Sequence, residues 1–250
     1  MLAGFASLFR PPPLPADMGN VMIRLNGVTK GFHMGGVTKM VARDATIDLP
    51  KGKSIALLGR NGAGKSTLMS MLAGEIRPDQ GEILINGSIS WPVGFMGSFH
   101  PDLTGAQNMR FLARVYGVDT DELAAFVEDF AELGPHFHQP IRAYSSGMRS
   151  RLGFGVSMAL HFDIYLIDEV TAVGDAAFKA KSSALFRDRM RTSSALYVSH
   201  SMGNVREVCD AALVLENGYI RYFGKVEDGI AQHERNLKRK PPPPDRAPER

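Results

Sequence analysis

The run Gly59-Arg60-Asn61-Gly62-Ala63-Gly64-Lys65-Ser66-Thr67 constrains this chain more than any other segment. The apolar stretch Ser54–Leu58 precedes it and reads as a buried strand. Thr67–Ala73 follows and reads as the start of an amphipathic helix. Strand, glycine-rich turn and helix in that order match the phosphate-loop pattern G-x-x-x-x-G-K-[ST]. The chemistry requires these residue types. Glycines let successive backbone N–H groups crowd around phosphate oxygens, and the helix N-terminus adds its positive dipole end. Lys65 then supplies a point charge to the β- and γ-phosphates, and Ser66 a hydroxyl for Mg2+. The pattern predicts a nucleoside-triphosphate site built from Gly59 through Thr67.

The rest of the composition narrows the setting. With 250 residues there is room for one large domain or two small ones, and 44% hydrophobic with 22% charged residues is ordinary for a soluble globular chain. The net charge is +3, and Lys238–Arg250 alone hold five basic and two acidic residues, which is also +3. Residues 1–237 are therefore formally neutral, which argues against nucleic acid as a partner. Cys209 is the only cysteine, so an intrachain disulfide and a cysteine zinc cluster are excluded, and a reducing compartment fits. No apolar run approaches the roughly eighteen residues of a membrane-spanning helix. Residues 1–20, with Pro11, Pro12, Pro13 and Pro15, read as a flexible leader, with Met18 and Met22 as alternative starts. Residues 236–250, with Pro241–Pro244, read as a disordered, basic, proline-rich tail.

Between these ends, strands are expected at Val21–Leu25, Ala45–Leu49, Ser54–Leu58 and Glu82–Ile85. Helical periodicity dominates from about Asn108 to Ala159, with Phe111, Val115, Phe126, Phe130 and Leu133 expected in the core. Ile164–Ile167, Ala195–Val198 and Ala212–Leu215 read as further buried strands separated by helix-compatible segments. This alternation suits an α/β fold with a parallel sheet, interrupted by a helical insertion.

The strand Ile164–Ile167 runs into two carboxylates, Asp168 and Glu169. In phosphate-loop enzymes the aspartate at this strand end holds the Mg2+ shell, and a carboxylate one residue on can polarise the attacking water. Tyr144-Ser145-Ser146-Gly147-Met148-Arg149, about twenty residues before Asp168, resembles the signature motif of ABC-transporter ATPases, usually written L-S-G-G-Q. Tyr, Ser and Met stand here at its first, third and fifth places. A hydroxyl and small residues opening a helix make a phosphate-reading group.

The resemblance assigns further roles. It implies an α/β phosphate-loop NTPase (RecA-like) core over 21–235, with a mixed, mainly parallel sheet, an N-terminal antiparallel β part and a helical subdomain at about 98–160. Glu169, Lys65 and His200, which follows Ser199 after a strand, form the implied catalytic set. Phe32 is placed to stack on adenine, and Ser145 and Gly147 to read the nucleotide of a second subunit. Ala172-Val173-Gly174-Asp175 resembles a dimer-contacting loop. Ser66 and Asp168 are the implied metal ligands. Where the family carries a glutamine, this chain has His100, which can bind metal and hydrogen-bond; the nearby Gln107 is the alternative.

Ile89–Gly94, Asp102–Gly105, Tyr144–Gly153 and Asp168–Asp175 are similar to segments of the ATPase subunits of bacterial capsular-polysaccharide exporters. Related O-antigen and teichoic-acid exporters share some of them. The implied protein is a homodimeric ATPase using ATP and Mg2+, peripheral on the cytoplasmic face of the inner membrane. It would power polysaccharide export through a separate integral-membrane permease, docked on the helical insertion and the loop around His100. The alternatives are the ATPase of another ABC transporter, including an importer, or a soluble ABC ATPase.

Overall fold

The computed structural model describes residues 18–34, 37–93, 99–168, 175–199, 201–239 and 245–246. Two long strands open it, β1 (Val21–Met34) and β2 (Val37–Pro50). They pair antiparallel, with Ile23 opposite Leu49, Leu25 opposite Ile47 and Phe32 opposite Lys39. The expected short strands are the far ends of this ribbon; its tip, with fewer apolar residues, carries no alternation strong enough to be read from sequence. After β3 (Ser54–Leu58), α1 (Lys65–Leu72) and β4 (Gln80–Ile85), β4 joins the other edge of β1.

β5 (Ile89–Pro92) leads into the helical insertion: α2 (Gly105–Tyr116), α3 (Thr120–Ala131), two short 3-10 turns and α4 (Ser146–Ala159). Local chemistry fixes the helix starts. Thr104 and Gln107 form a reciprocal capping box at α2, and the Asp119 carboxylate accepts from Asp121 and Glu122 N–H groups at α3. The chain then alternates: β6 (Ile164–Asp168), α5 (Ala176–Met190), β7 (Ser194–Val198), α6 (Met202–Val208), β8 (Ala211–Glu216), β9 (Tyr219–Phe223) and α7 (Val226–Lys238).

The second sheet has the order β5-β6-β7-β3-β8-β9. Its first five strands run parallel, and β9 closes one edge antiparallel to β8. Both faces are covered, which is why β3, β6, β7 and β8 read as unbroken apolar runs. Ile55, Leu57, Leu166, Leu196 and Leu213 pack with α1 and the first ribbon. Ala56, Leu58, Ile167, Tyr197 and Val214 pack with the insertion and α5 to α7.

Three expectations need revision. Phe130 and Leu133 are core, but Phe111, Val115 and Phe126 are exposed, because α2 and α3 bury other faces, led by Met109, Leu112, Leu123 and Val127. The leader does not extend to residue 20: Met18 is buried, and its carbonyl accepts from Val21 N at 2.7 Å. Nor is the tail unstructured throughout. α7 runs to Lys238, and Asp245–Arg246 form a short strand, β10, paired with β2. Backbone pairing to an open strand edge demands little of side-chain composition, so composition could not reveal it.

Candidate nucleotide site

The site gathers at the carboxyl ends of the parallel strands, where open α/β sheets bind ligands. The glycine-rich loop leaves β3, Asp168 ends β6, and Val198 ends β7, the strand between them. Gly64 precedes α1 with φ 108°, and a Cβ there would stand 2.8 Å from Val41 Cγ1. Only glycine suits both the left-handed backbone and that close approach. Lys65 Nζ donates to the Gly59 carbonyl at 2.8 Å and the Arg60 carbonyl at 3.2 Å. The lysine head is thus held across its own loop.

A cavity of about 450 Å³ opens here, lined by Asn61, Gly62, Gly64, Lys65, Ser66 and Thr67, with Asp168 on the far side. Phe32 and Lys39, opposite each other on the β1–β2 ribbon, form the remaining wall with Val41 and Val198. Lys39, Val41 and Val198 were not singled out from sequence. Nothing in the local pattern marks Lys39; the register that sets it opposite Phe32 is visible only in the folded ribbon.

Gly59, Arg60 and Ala63 belong to the loop but do not line the cavity. A Cβ on Gly59 would lie 2.6 Å from the Leu215 carbonyl, so this residue lets the loop rest on β8. Arg60 departs most from the expected arrangement. Its Nε donates to Glu216 Oε1 at 3.2 Å, and its Nη2 donates to the carbonyls of Asn236 and Arg239 at the end of α7. Its charge is committed to α7 and β8. Also on α7 is His233, buried, and its imidazole is held below the ordinary histidine value by that burial and by the charge of Lys65.

The signature segment lies outside the cavity. Ser145 caps α4, its Oγ accepting from Met148 N at 3.2 Å, while Ser145 and Gly147 are exposed. Arg151, two turns along, donates to Asp175 Oδ2 at 2.8 Å and stands 4.4 Å over the Phe178 ring. The Asp175 carboxylate caps α5 by accepting from Phe178 N, which lowers its pKa. His100 is exposed, outside the cavity lining, and its Nδ1 accepts from Asp102 N at 3.3 Å. Gln107 Oε1 is engaged by the Thr104 N–H in the α2 cap. Glu169, His200 and Ala172 through Gly174 lie outside the described residues.

The fold and this cavity define a phosphate-loop nucleotide-binding protein. Residues 42–172 match the ABC transporter family. The chain is 51% identical to the polysialic acid transport ATP-binding protein KpsT of Escherichia coli, over 85% of this chain and 96% of that one. It is 44% identical to the capsule polysaccharide export ATP-binding protein CtrD of Neisseria meningitidis, over 82% and 95%. In fold it is similar to an ATP-binding cassette solved as a dimer in a post-hydrolysis state with ADP and Pi, at TM-score 0.69 and 21% identity, covering 82% and 99%. The chain belongs to the ABC transporter family, as an ATP-binding and ATP-hydrolysing member.

Proposed function

We propose that this ATPase powers export of a capsule-type polysaccharide through a separate membrane permease. The observation that carries the reading is the match to a polysialic acid transport and a capsule polysaccharide export ATP-binding protein along nearly their whole lengths. Among the described residues, no helix is long and apolar enough to cross a membrane. In this reading the conduit is a second polypeptide, and the ATPase works from the cytoplasmic face of the inner membrane.

An apolar face supports the docking role. Phe111, Val115, Tyr116, Val118 and Phe126 are exposed on α2, α3 and the turn between them. Tyr116, Val118 and Phe126 line one surface hollow, and Phe111 and Val115 lie one turn apart on α2; exposed apolar groupings of this kind suit a partner interface.

At the nucleotide site, the loop amides and Lys65 hold the phosphates, and Phe32 faces the base. Ser66 and Asp168 present hard oxygen donors to the same cavity, the donor type that suits Mg2+, which would neutralise the phosphate charge. Glu169, next to Asp168 in the chain, is assigned to polarising the attacking water, and His200, two residues beyond Val198 in the chain, to the γ-phosphate. Ser145 and Gly147, exposed away from this cavity, complete the site of a second copy.

Replacing the native gene with a Glu169→Gln version tests the whole reading. Polysaccharide should vanish from the cell surface and accumulate inside, with the protein still binding ATP. Normal surface polysaccharide would overturn it.

A further inference from the structure

Two side chains of β2, Lys39 and Val41, lie against the glycine-rich loop, and both line its cavity. Val41 packs on Gly64, so closely that only a residue without a Cβ fits there. Lys39 reaches Gly62: a Cβ on that glycine would stand 3.4 Å from Lys39 Nζ. The Val41 contact fixes how near β2 runs to the loop, and with it where the Lys39 ammonium comes to rest.

Lys39 also stands directly opposite Phe32, and paired residues of an antiparallel ladder share a face. The ribbon thus presents an aromatic ring and an ammonium side by side to the same cavity. Two other lysines nearby are engaged: Lys30 donates to Asp79 at 2.7 Å, and Lys65 to the Gly59 and Arg60 carbonyls. Among the described residues, nothing accepts a hydrogen bond from Lys39 and no carboxylate pairs with it. An unpaired cation in the wall of a cleft draws anions into it.

We propose that Lys39 is a nucleotide-contacting residue whose ammonium reaches the α- and β-phosphates from the ribbon side. The inference rests on the nucleotide reading of the cavity. Backbone N–H groups of such a loop cradle the α- and β-phosphates, while the loop lysine reaches the β- and γ-phosphates. An ammonium set beside Phe32 on one hand and Gly62 on the other meets the part of the phosphate chain nearer the base. ADP keeps those phosphates. Lys39 therefore holds substrate and product alike, and helps set how tightly ADP is retained after hydrolysis.

The test compares the full chain with its Lys39→Met and Lys39→Arg variants. The probes are the magnesium complexes of adenosine 5′-(β,γ-imido)triphosphate and ADP, and inorganic triphosphate, which has neither base nor sugar. Lys39→Met should weaken all three about fivefold, the upper range for an exposed ion pair. Lys39→Arg should restore most of the loss. Added salt should narrow the gap between the parent and Lys39→Met, because exposed charges are screened; a merely structural change would leave the gap as it was. In turnover, KM for ATP and the inhibition constant of ADP should rise together. Lys39 is exposed, so thermal unfolding of the free variant should match the parent's. Unchanged affinity for both nucleotides in Lys39→Met would overturn the proposal. So would a loss for the imido analogue alone, which moves the contact to the γ-phosphate, or an intact affinity for inorganic triphosphate, which moves it to the base or sugar. A parent chain that binds nucleotide no better than Lys65→Ala would instead overturn the nucleotide reading.

Discussion

Arg151 on α4 and Asp175 at the start of α5 meet at 2.8 Å, and Glu132 at the end of α3 stands 3.6 Å from the same guanidinium. One side chain thus connects the helix that Ser145 opens with the segment following Glu169. Its stem and charge also cover Phe178, so it is held by stacking as well as by ions. Arg151→Ala should loosen this connection without touching the cavity. We expect turnover to fall about tenfold, since small misplacements of catalytic groups are costly. ATP affinity should stay near the parent's. Equal loss in affinity and turnover would show a general defect instead.

His233 predicts a pH effect on stability. Burial and the nearby Lys65 and Arg60 charges disfavour the imidazolium in the folded chain; Glu216 and Glu234 act the other way, and the net direction is down. The unfolded chain therefore takes the proton first. Stability is full above the ordinary histidine value of about 6.5 and falls as pH drops from there towards the lower folded value. His161, also held down by burial and by Arg189, adds in the same direction. Thermal unfolding from pH 7.5 to 5.5 should show a steeper decline for the parent than for His233→Gln. Asp48, Asp79 and Asp163, held low chiefly by Arg24, Lys30 and Ser88, lose their contributions only near and below 3.8. Parallel declines in parent and variant would remove His233 from this role.

The parts of this fold legible in the sequence were those with a single physical cause. β3, β6, β7 and β8 are covered on both faces, so their apolar runs are unavoidable. The loop from Gly59 to Thr67 is constrained by phosphate chemistry and by contacts as close as Gly64 on Val41. Other features answer to the assembled structure. Phe111 and Val115 have the spacing of a core face, and only the packing of Met109 and Leu112 reveals that the core lies elsewhere. Arg60 looks like a phosphate ligand until α7 is seen to end beside it. Pattern marks which residues are apolar or charged; it does not say which of two neighbouring surfaces claims them.

The exposed apolar face on α2 and α3 should matter only when the partner is present. Phe111 and Val115 lie one turn apart on α2, 54% and 60% exposed. Neither touches the nucleotide cavity, so Phe111→Asp with Val115→Lys should leave ATP hydrolysis by the isolated protein unchanged. Recovery of the chain with membranes carrying the permease should fall at least about tenfold, as expected when apolar anchors of an interface are lost. Full membrane recovery would place the docking face elsewhere.

Among the described residues, the helix starts of α1 and α4 are the two that read as phosphate-binding, and that of α1 belongs to the cavity. α1 begins at Lys65 against the glycine-rich loop, while α4 begins beyond Ser145, exposed and apart from the cavity lining. Both can grip the same γ-phosphate only if the second comes from another copy, so Lys65 and Ser145 should behave as members of different half-sites. Lys65→Ala and Ser145→Arg should each be inactive as homodimers, the first by losing charge on the phosphates, the second by filling the interface with a bulky cation. Mixed, they form heterodimers in which one site is wholly intact and the other carries both defects. ATP-dependent cross-linking of the mixed pair should therefore exceed that of either variant alone, and hydrolysis should reappear wherever one intact site suffices for turnover. Cross-linking and hydrolysis no greater than the sum of the separate variants would contradict the shared site. Full hydrolysis by a Ser145→Arg protein that sediments as a monomer would exclude it, because a monomer has no second copy to supply α4.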